Sequence, residues 1–483
     1  FWDFGWRFST DGGTTWTYAD LGGDSCGGGG TSDGWDDPGS LIVCEDLDTF
    51  NAPLEWRYTY KPDRRYVLGA PVWASPALAV IDGRPVAFIG GYDQTMHALD
   101  LSSRRRLWLK ITNGLIVHPP AIGGPEGAEI VYWGASDRTL YAHDAREGRR
   151  VWTRELVPPS NTLGEITIGA PLIHGDKLYA TCFAYDKSLA RNMQKGWLFC
   201  LNAASGNVLW RLEVSQGPVN SPAGRELSGS FVVFTSARKG IIQATDVGGD
   251  APRVLWTYQM PHEVLASPVI EPDGGAPLLF IGSKFGNFVA LDAATGSVVW
   301  KRMTGNWVNN SACIGRIPAG NAVFVGSYDY NLYAFTAADG KLLWKRRLGG
   351  EAYSAPAFLN VDGKPCVAAS AYGGHTYLVN AETGRVETSF YTGRPIWDIV
   401  TKSEGEVPGG SPVAVQAGRS SAIVHGSFDG AVYILPVGGG TTTTYTATAW
   451  SATGLWIGML ITLLLFFGIV LPVVILWPDG KRP

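Results

Sequence analysis

The stretch at residues 324–346, FVGSYDYNLYAFTAADGKLLWKR, restricts the fold more than any other part of the chain, because it recurs. Phe324 and Val325 form a β-prone run, residues 326–331 supply turn chemistry, and residues 332–335 form a second run. Asp339-Gly340 marks another tight turn, and residues 342–344 form a third run. The same unit returns at residues 282–300, 90–108 and 134–152, and more loosely at 196–210 and 240–256. A copy at 369–387 carries Glu387 where the others carry Trp, and a copy at 426–435 stops before the second turn. Trp256, Trp300 and Trp344 follow one another at intervals of 44 residues.

A second signal counts the same units. A short motif opens an apolar strand before each copy: Ser75-Pro76, Pro119-Pro120, Ala170-Pro171, Ser221-Pro222, Ser267-Pro268, Ser311-Ala312, Ala355-Pro356 and Ser411-Pro412. Proline at the first residue of a strand leaves the ladder intact, since its missing N–H need not be a ladder donor. Each unit then reads as strand A after the motif, strands B and C as a hairpin, and strand D ending near Trp. Four antiparallel strands in a period of about 40–50 residues describe a propeller blade. Eight copies predict an all-β, eight-bladed β-propeller of four-stranded antiparallel blades over residues 51–437. The last copy lacks strand D. Residues 52–61, APLEWRYTYK, are expected to supply it, with Trp56 at the repeat's Trp position and pairing to residues 431–435. A ring closed this way leaves few open strand edges.

These residues resemble the PQQ-like repeat of the quinoprotein family, G-x-x-D-G-x-L-Y-A-L-[DN]-x-x-T-G-x-x-x-W, over roughly residues 52–437. The resemblance implies an eight-bladed propeller in which each Trp docks on the neighbouring blade; here these are Trp56, Trp108, Trp152, Trp210, Trp256, Trp300 and Trp344. The family includes quinone-dependent dehydrogenases and cofactor-free scaffold propellers, among them an outer-membrane assembly scaffold. In the dehydrogenases the quinone lies between a Trp and a disulfide of adjacent cysteines, with Ca²⁺ held by Glu, Asn and Asp. No two cysteines are adjacent in this chain, and no calcium ligand set can be carried over. No cofactor and no metal are therefore expected, and the enzyme reading ranks below the scaffold reading.

Residues 1–50 stand outside the repeat. STDGGTTW at residues 9–16 matches the Asp-box pattern, a hairpin device without catalytic content, and a Gly-rich loop follows at 22–40. Asp33, Asp36 and Asp37 in that loop fit no EF-hand spacing and read as a solvated acidic turn. Cys26 and Cys44 flank the loop and are expected to form a disulfide if the compartment is oxidising. Cys182, Cys200, Cys313 and Cys366 fall in predicted strands and read as buried thiols. Asn309-Asn310-Ser311 is a formal glycosylation sequon at the opening of an inner strand, and is expected to stay unmodified.

At the other end, residues 438–453 form a Gly/Thr linker. Residues 454–477 hold no charge over 24 positions, enough to cross a hydrocarbon core of about 30 Å. This predicts a single transmembrane helix, with Trp456 and Trp477 at its interfaces and Lys481 and Arg482 in a cytoplasmic tail at 478–483. The propeller would then be extracytoplasmic. The chain opens at Phe1 without a leader, which reads as a removed targeting segment. A net charge of −4 argues against nucleic acid as a partner.

The expected function is a membrane-anchored, extracytoplasmic scaffold that binds protein partners in, or is an accessory subunit of, a membrane or surface assembly; the alternative is a quinone-dependent dehydrogenase or other propeller enzyme. In antiparallel blades the B–C and D–A loops share one face, and the chain lengthens there at residues 183–196, 155–165 and 392–410. Tyr185, Arg191, Met193 and Trp397 are the partner-binding candidates, as residue types enriched at interface hot spots or their surroundings.

Overall fold

The structure, a computed structural model, describes strands 6–8, 17–19 and 65–67, residues 72 and 74–391, and strands 413–417, 420–426 and 431–437. Short breaks fall at 104, 126, 159–161, 190–193, 216–219, 273–275 and 373.

Strands Ala77–Ile81, Arg84–Gly90, Thr95–Asp100 and Arg105–Ile111 form one antiparallel sheet in that order, from inner strand A to outer strand D. Sheets of the same order lie at 121–155, 223–259, 269–303, 313–347 and 357–391. The closing sheet runs Val413–Ala417, Ser420–Gly426, Ala431–Val437 and Arg65–Val67. Its inner strand packs against Ala77–Ile81, which completes the ring. Eight blades of four strands were expected. The finding corrects this to seven four-stranded blades, because the sheet at residues 163–215 is five-stranded.

The reason is local. Strands Lys177–Asp186 and Lys195–Asn202 make a B–C hairpin long enough to reach beyond the blade. Its exposed ladder recruits the preceding chain: Leu172–His174 pairs with Tyr179–Lys177, and Leu163–Ile168 pairs further out, from Leu163↔Asp186 to Ile168↔Cys182. Strand A is thus split in two at residues 169–171, where Gly169 passes so close to Thr181 that a Cβ would lie 2.3 Å from its hydroxyl. Much of what reads in sequence as two loops is one paired extension. Gln194 stitches its tip, accepting from the Asp186 N–H at 2.7 Å and donating to the Asp186 and Leu189 carbonyls at 2.8 and 3.1 Å.

The closing strand also differs from expectation. It is Arg65–Val67, in register Arg65↔Tyr433, Tyr66↔Val432 and Val67↔Ala431. Strand D ends nine residues before the motif's second residue at Ile111, Gln259 and Arg347, and Val67 stands nine before Pro76. The link along the face therefore has one length, and residues 52–61 lie too far back; they and Trp56 are outside the described residues. Register also moves the assignment at Glu387: Thr388 pairs with Leu378 as Trp344 pairs with Ala334, so Thr388 stands at the Trp position.

Glu387 occupies a bulge. Every C–D ladder between residues 95 and 391 shifts register one step before the Trp position, leaving Leu107, Val151, Leu209, Leu255, Val299, Leu343 and Glu387 as the extra residues. A bulge twists an outer edge strand away from straight pairing.

Blades are joined by a repeated lock. The indole N–H of Trp108 donates to Ala145 O at 2.9 Å, and Trp152 to Ala203 O at 2.8 Å. Trp256, Trp300 and Trp344 donate to the carbonyls of Ala293, Ala337 and Ala381 at 3.0, 2.7 and 2.9 Å. Beside each accepting alanine, the C–D turn of the next blade presents a glycine to the indole face. At Gly340, with φ +68°, a Cβ would stand 2.6 Å from Trp300. Two residues after Trp, Arg154, Arg302 and Arg346 donate Nε to the carbonyls of Gly206, Gly340 and Gly384 at 2.8, 2.6 and 2.5 Å. Trp210 packs on Tyr179 with centroids 6.0 Å apart, in a cluster that includes Val247 of the next blade.

Residues 454–477 lie outside the described residues. Among the described residues no helix is long and apolar enough to cross a membrane, so the architecture they show is all-β and does not include the expected transmembrane helix. Two three-residue strands, Trp6–Phe8 and Thr17–Ala19, pair across the Asp-box segment. Cys26 and Cys44 are outside the described residues. Cys182, Cys200, Cys313 and Cys366 are free; burial pushes Cys182 up to about 12, and Cys200 and Cys366 to about 11.

Candidate interaction face

The repeat's Asp explains how one face is held. Asp329 accepts from the Asn331 N–H at 3.0 Å within its own B–C turn, from the Tyr333 hydroxyl on strand C, and from the Gly305 N–H of the incoming D–A link at 2.8 Å. Asp137 does the same with Thr139 N at 3.1 Å, Tyr141 OH at 2.5 Å and Asn113 N at 3.1 Å. Asp93 caps Thr95 N at 3.1 Å and meets His97 Nε2 at 2.8 Å. Asp329 and Asp137 therefore each tie turn, strand and link into one corner, and Asp93 ties turn to strand.

The link itself pairs with the B–C turns on both sides of it. Lys284 N donates to Glu263 O, Tyr328 N to Trp307 O and Tyr372 N to Glu351 O, each at 2.9 Å; Val264 N reaches back to Arg238 O at 3.1 Å, and Ala352 N to Ser327 O at 3.2 Å. This regular frame sets link residues 263, 307 and 351 at one equivalent position, and turn residues 238, 284, 328 and 372 at another.

The side chains they carry form a continuous arc over four blades. Glu263 takes Lys284 Nζ at 2.7 Å and Arg238 Nε at 3.8 Å. Lys284 Nζ lies 4.7 Å from the centre of the Trp307 ring. Trp307 leads to Tyr328 at 5.8 Å, Tyr328 to Tyr353 at 5.4 Å, and Tyr353 to Tyr372 at 6.0 Å. Glu351 sits beside the last three, and its charge is felt by all of them.

The two glutamates respond oppositely to similar positions. Burial works to raise the Glu263 carboxyl, but the hydrogen bond and charge of Lys284, and then Arg238, outweigh it and hold the group low. Glu351 has only burial, which pushes it up. Among the described residues its carboxylate has no hydrogen-bond or ion-pair partner. Burial also raises Tyr328, to about 12, and Tyr353 and Tyr372. Asn309 of the sequon lies half-buried next to the Tyr328 hydroxyl.

Comparison with known proteins follows from this architecture. The family model described as outer membrane protein assembly factor BamB matches residues 9–302 and 314–453. The chain belongs to this family. The family's repeat is the one read from residues 324–346, and the family model extends beyond the ring at both ends. No curated protein sequence matches the chain. Among solved structures, BamB from Moraxella catarrhalis is similar at 17% identity, with 77% of this chain and 97% of that chain covered and a TM-score of 0.52. The quinohemoprotein alcohol dehydrogenase ADHIIG from Pseudomonas putida HK5 has 14% identity, 80% and 77% coverage and a TM-score of 0.60. The computationally designed Ika8 protein has 15% identity, 79% and 99% coverage and a TM-score of 0.55. At these identities the likeness is one of fold.

Of the candidate partner residues, Tyr185 stands on the extended hairpin, next to Gly164 of the added strand. Arg191, Met193 and Trp397 lie outside the described residues. The residues that sequence reasoning missed are Lys284, Trp307, Tyr328, Glu351, Tyr353 and Tyr372. Their signal was positional: Glu263, Trp307 and Glu351 each stand five residues before the second residue of the strand-A motif.

Proposed function

We propose that this chain is a protein-binding scaffold propeller that meets its partner with the face carrying the B–C and D–A loops. The observation that supports it is the arc from Arg238 to Tyr372, in which charged and aromatic side chains from four blades are set on a hydrogen-bonded frame. Aromatic residues and arginine dominate binding energy at protein interfaces, and a rigid frame lowers the cost of ordering them. The hairpin at 177–202 rises from the same face. The family's description, a factor in outer membrane protein assembly, favours a partner in a membrane assembly outside the cytoplasm.

The alternative, a quinone-dependent dehydrogenase, needs a calcium ligand set and a platform for the quinone. The chain has no adjacent cysteines, so the disulfide on which the quinone rests in that family has no counterpart here, which favours the scaffold reading.

Two exposed side chains provide the test. Phe285, 61% exposed, lies in a B–C turn on the proposed face, and Val80, 68% exposed, lies beside an A–B turn on the opposite one. A photo-crosslinking amino acid placed at each position, in cells of the native source, should trap a protein partner at 285 and leave 80 unlinked. Linking at 80 alone would overturn the assignment of the face. Dye reduction by the purified chain with added quinone and Ca²⁺ would overturn the scaffold reading itself.

A further inference from the structure

The repeat allows the surroundings of Glu351 to be compared with those of Glu263 position by position. Glu263 is flanked by Lys284 on its own blade's turn and by Arg238 on the preceding blade's turn. Glu351 is flanked at the same two positions by Tyr372 and Tyr328. At the first glutamate the protein supplies two cations. At the second it supplies two phenol rings and, behind them, the buried ring of Tyr353. The arc also shows how a cation sits there: Lys284 bridges a carboxylate and the face of Trp307.

We propose that Glu351, Tyr328 and Tyr372 form a recognition site for an organic cation, the guanidinium or ammonium of a basic side chain on the partner protein. This rests on the scaffold reading and names the chemistry by which that face recognises its partner. A carboxylate taken partly out of water without a counter-charge binds a cation more strongly than one in bulk solvent. Aromatic faces alongside it favour the same charge and disfavour a neutral isostere of the same shape. Burial alone raises the Glu351 carboxyl, so a cation placed beside it would favour its charged form.

The test uses the full chain and saturation-transfer NMR with three probes: a capped Gly-Gly-Arg-Gly-Gly peptide, the same peptide with citrulline for arginine, and choline. The arginine peptide should bind, the citrulline peptide should be weaker by on the order of tenfold, and Glu351→Gln should weaken the arginine peptide by a similar factor. Tyr372→Lys copies the residue found at 284 and should block the site from within while leaving thermal stability intact. Equal binding of the arginine and citrulline peptides overturns the proposal. So does wild-type affinity in both variants, or no binding of either cation at millimolar concentration. Choline that binds where the arginine peptide does not assigns the site to a small free cation and overturns the protein-side-chain source. Should Phe285 still crosslink a partner in the Glu351→Gln chain, the scaffold reading stands and this inference alone fails.

Discussion

The lock between blades depends on single residues whose loss has a definite cost. Trp300 is 5% exposed, donates its N–H across the blade junction and rests on Gly340. Trp300→Ala should destabilise by about 3–5 kcal/mol, as large aromatic truncations in cores do. Gly340→Ala should also destabilise, since it both crowds the indole and forces a left-handed φ on a residue with a Cβ; denaturant unfolding checks both. His118 makes a pH prediction. Burial lowers its pKa to about 4, so the fold holds it neutral while the unfolded chain takes a proton near 6.5. Its contribution is full above about 6.5 and falls as pH drops from there towards 4. The loss at acid pH should reach at most roughly 3 kcal/mol, and His118→Phe should flatten that part of the stability profile. His143 is shifted in the same direction, chiefly by burial, and should leave a smaller residual slope.

At the scale of elements, the five-stranded sheet invites a direct test. Ile166 pairs with Ala184 on the added strand, and proline there removes an N–H from the ladder. Ile166→Pro should open the extension to protease near residues 187–189 while the Trp152 lock at the base of the blade survives. The strands themselves were legible because turn residues and apolar runs recur at fixed offsets. The extension was not: LGEITI at 163–168 lies outside the repeat, and its strand character comes from a ladder left exposed by a hairpin twenty residues further on. The closing strand is legible in spacing, since the distance from strand D to the next motif points to Val67, and Trp56 lies outside that spacing. The arc was hidden for a different reason. Its members are scattered one or two per repeat, and only the pairing of link to turn makes them neighbours.

Across the whole molecule, the locks are unevenly distributed. Thr388 stands at the Trp position in the blade before the closing sheet, so that junction lacks the indole seen at the others. Among the described residues the outer strand of the closing sheet has three paired residues. Amide hydrogen exchange should therefore be fastest, among the blade strands, in 413–437 and 65–67 and slowest around the Trp300 and Trp344 junctions. Uniform exchange around the ring would refute this.

That closing ladder joins residues 65 and 433, which are 368 positions apart in the chain. Relative to a ten-residue hairpin, bringing such distant segments together costs about 3 kcal/mol more in chain entropy, and three pairs do little to repay it until their neighbours are in place. On a ribosome, residues 65–67 emerge long before their partner exists, and the sheet at 77–111 waits with one flank bare while every later blade is built. The last blade strand to be synthesised is the one that turns a curved stack of sheets into a ring. Slow elongation near residue 431 should leave an open stack of blades that associates with other chains.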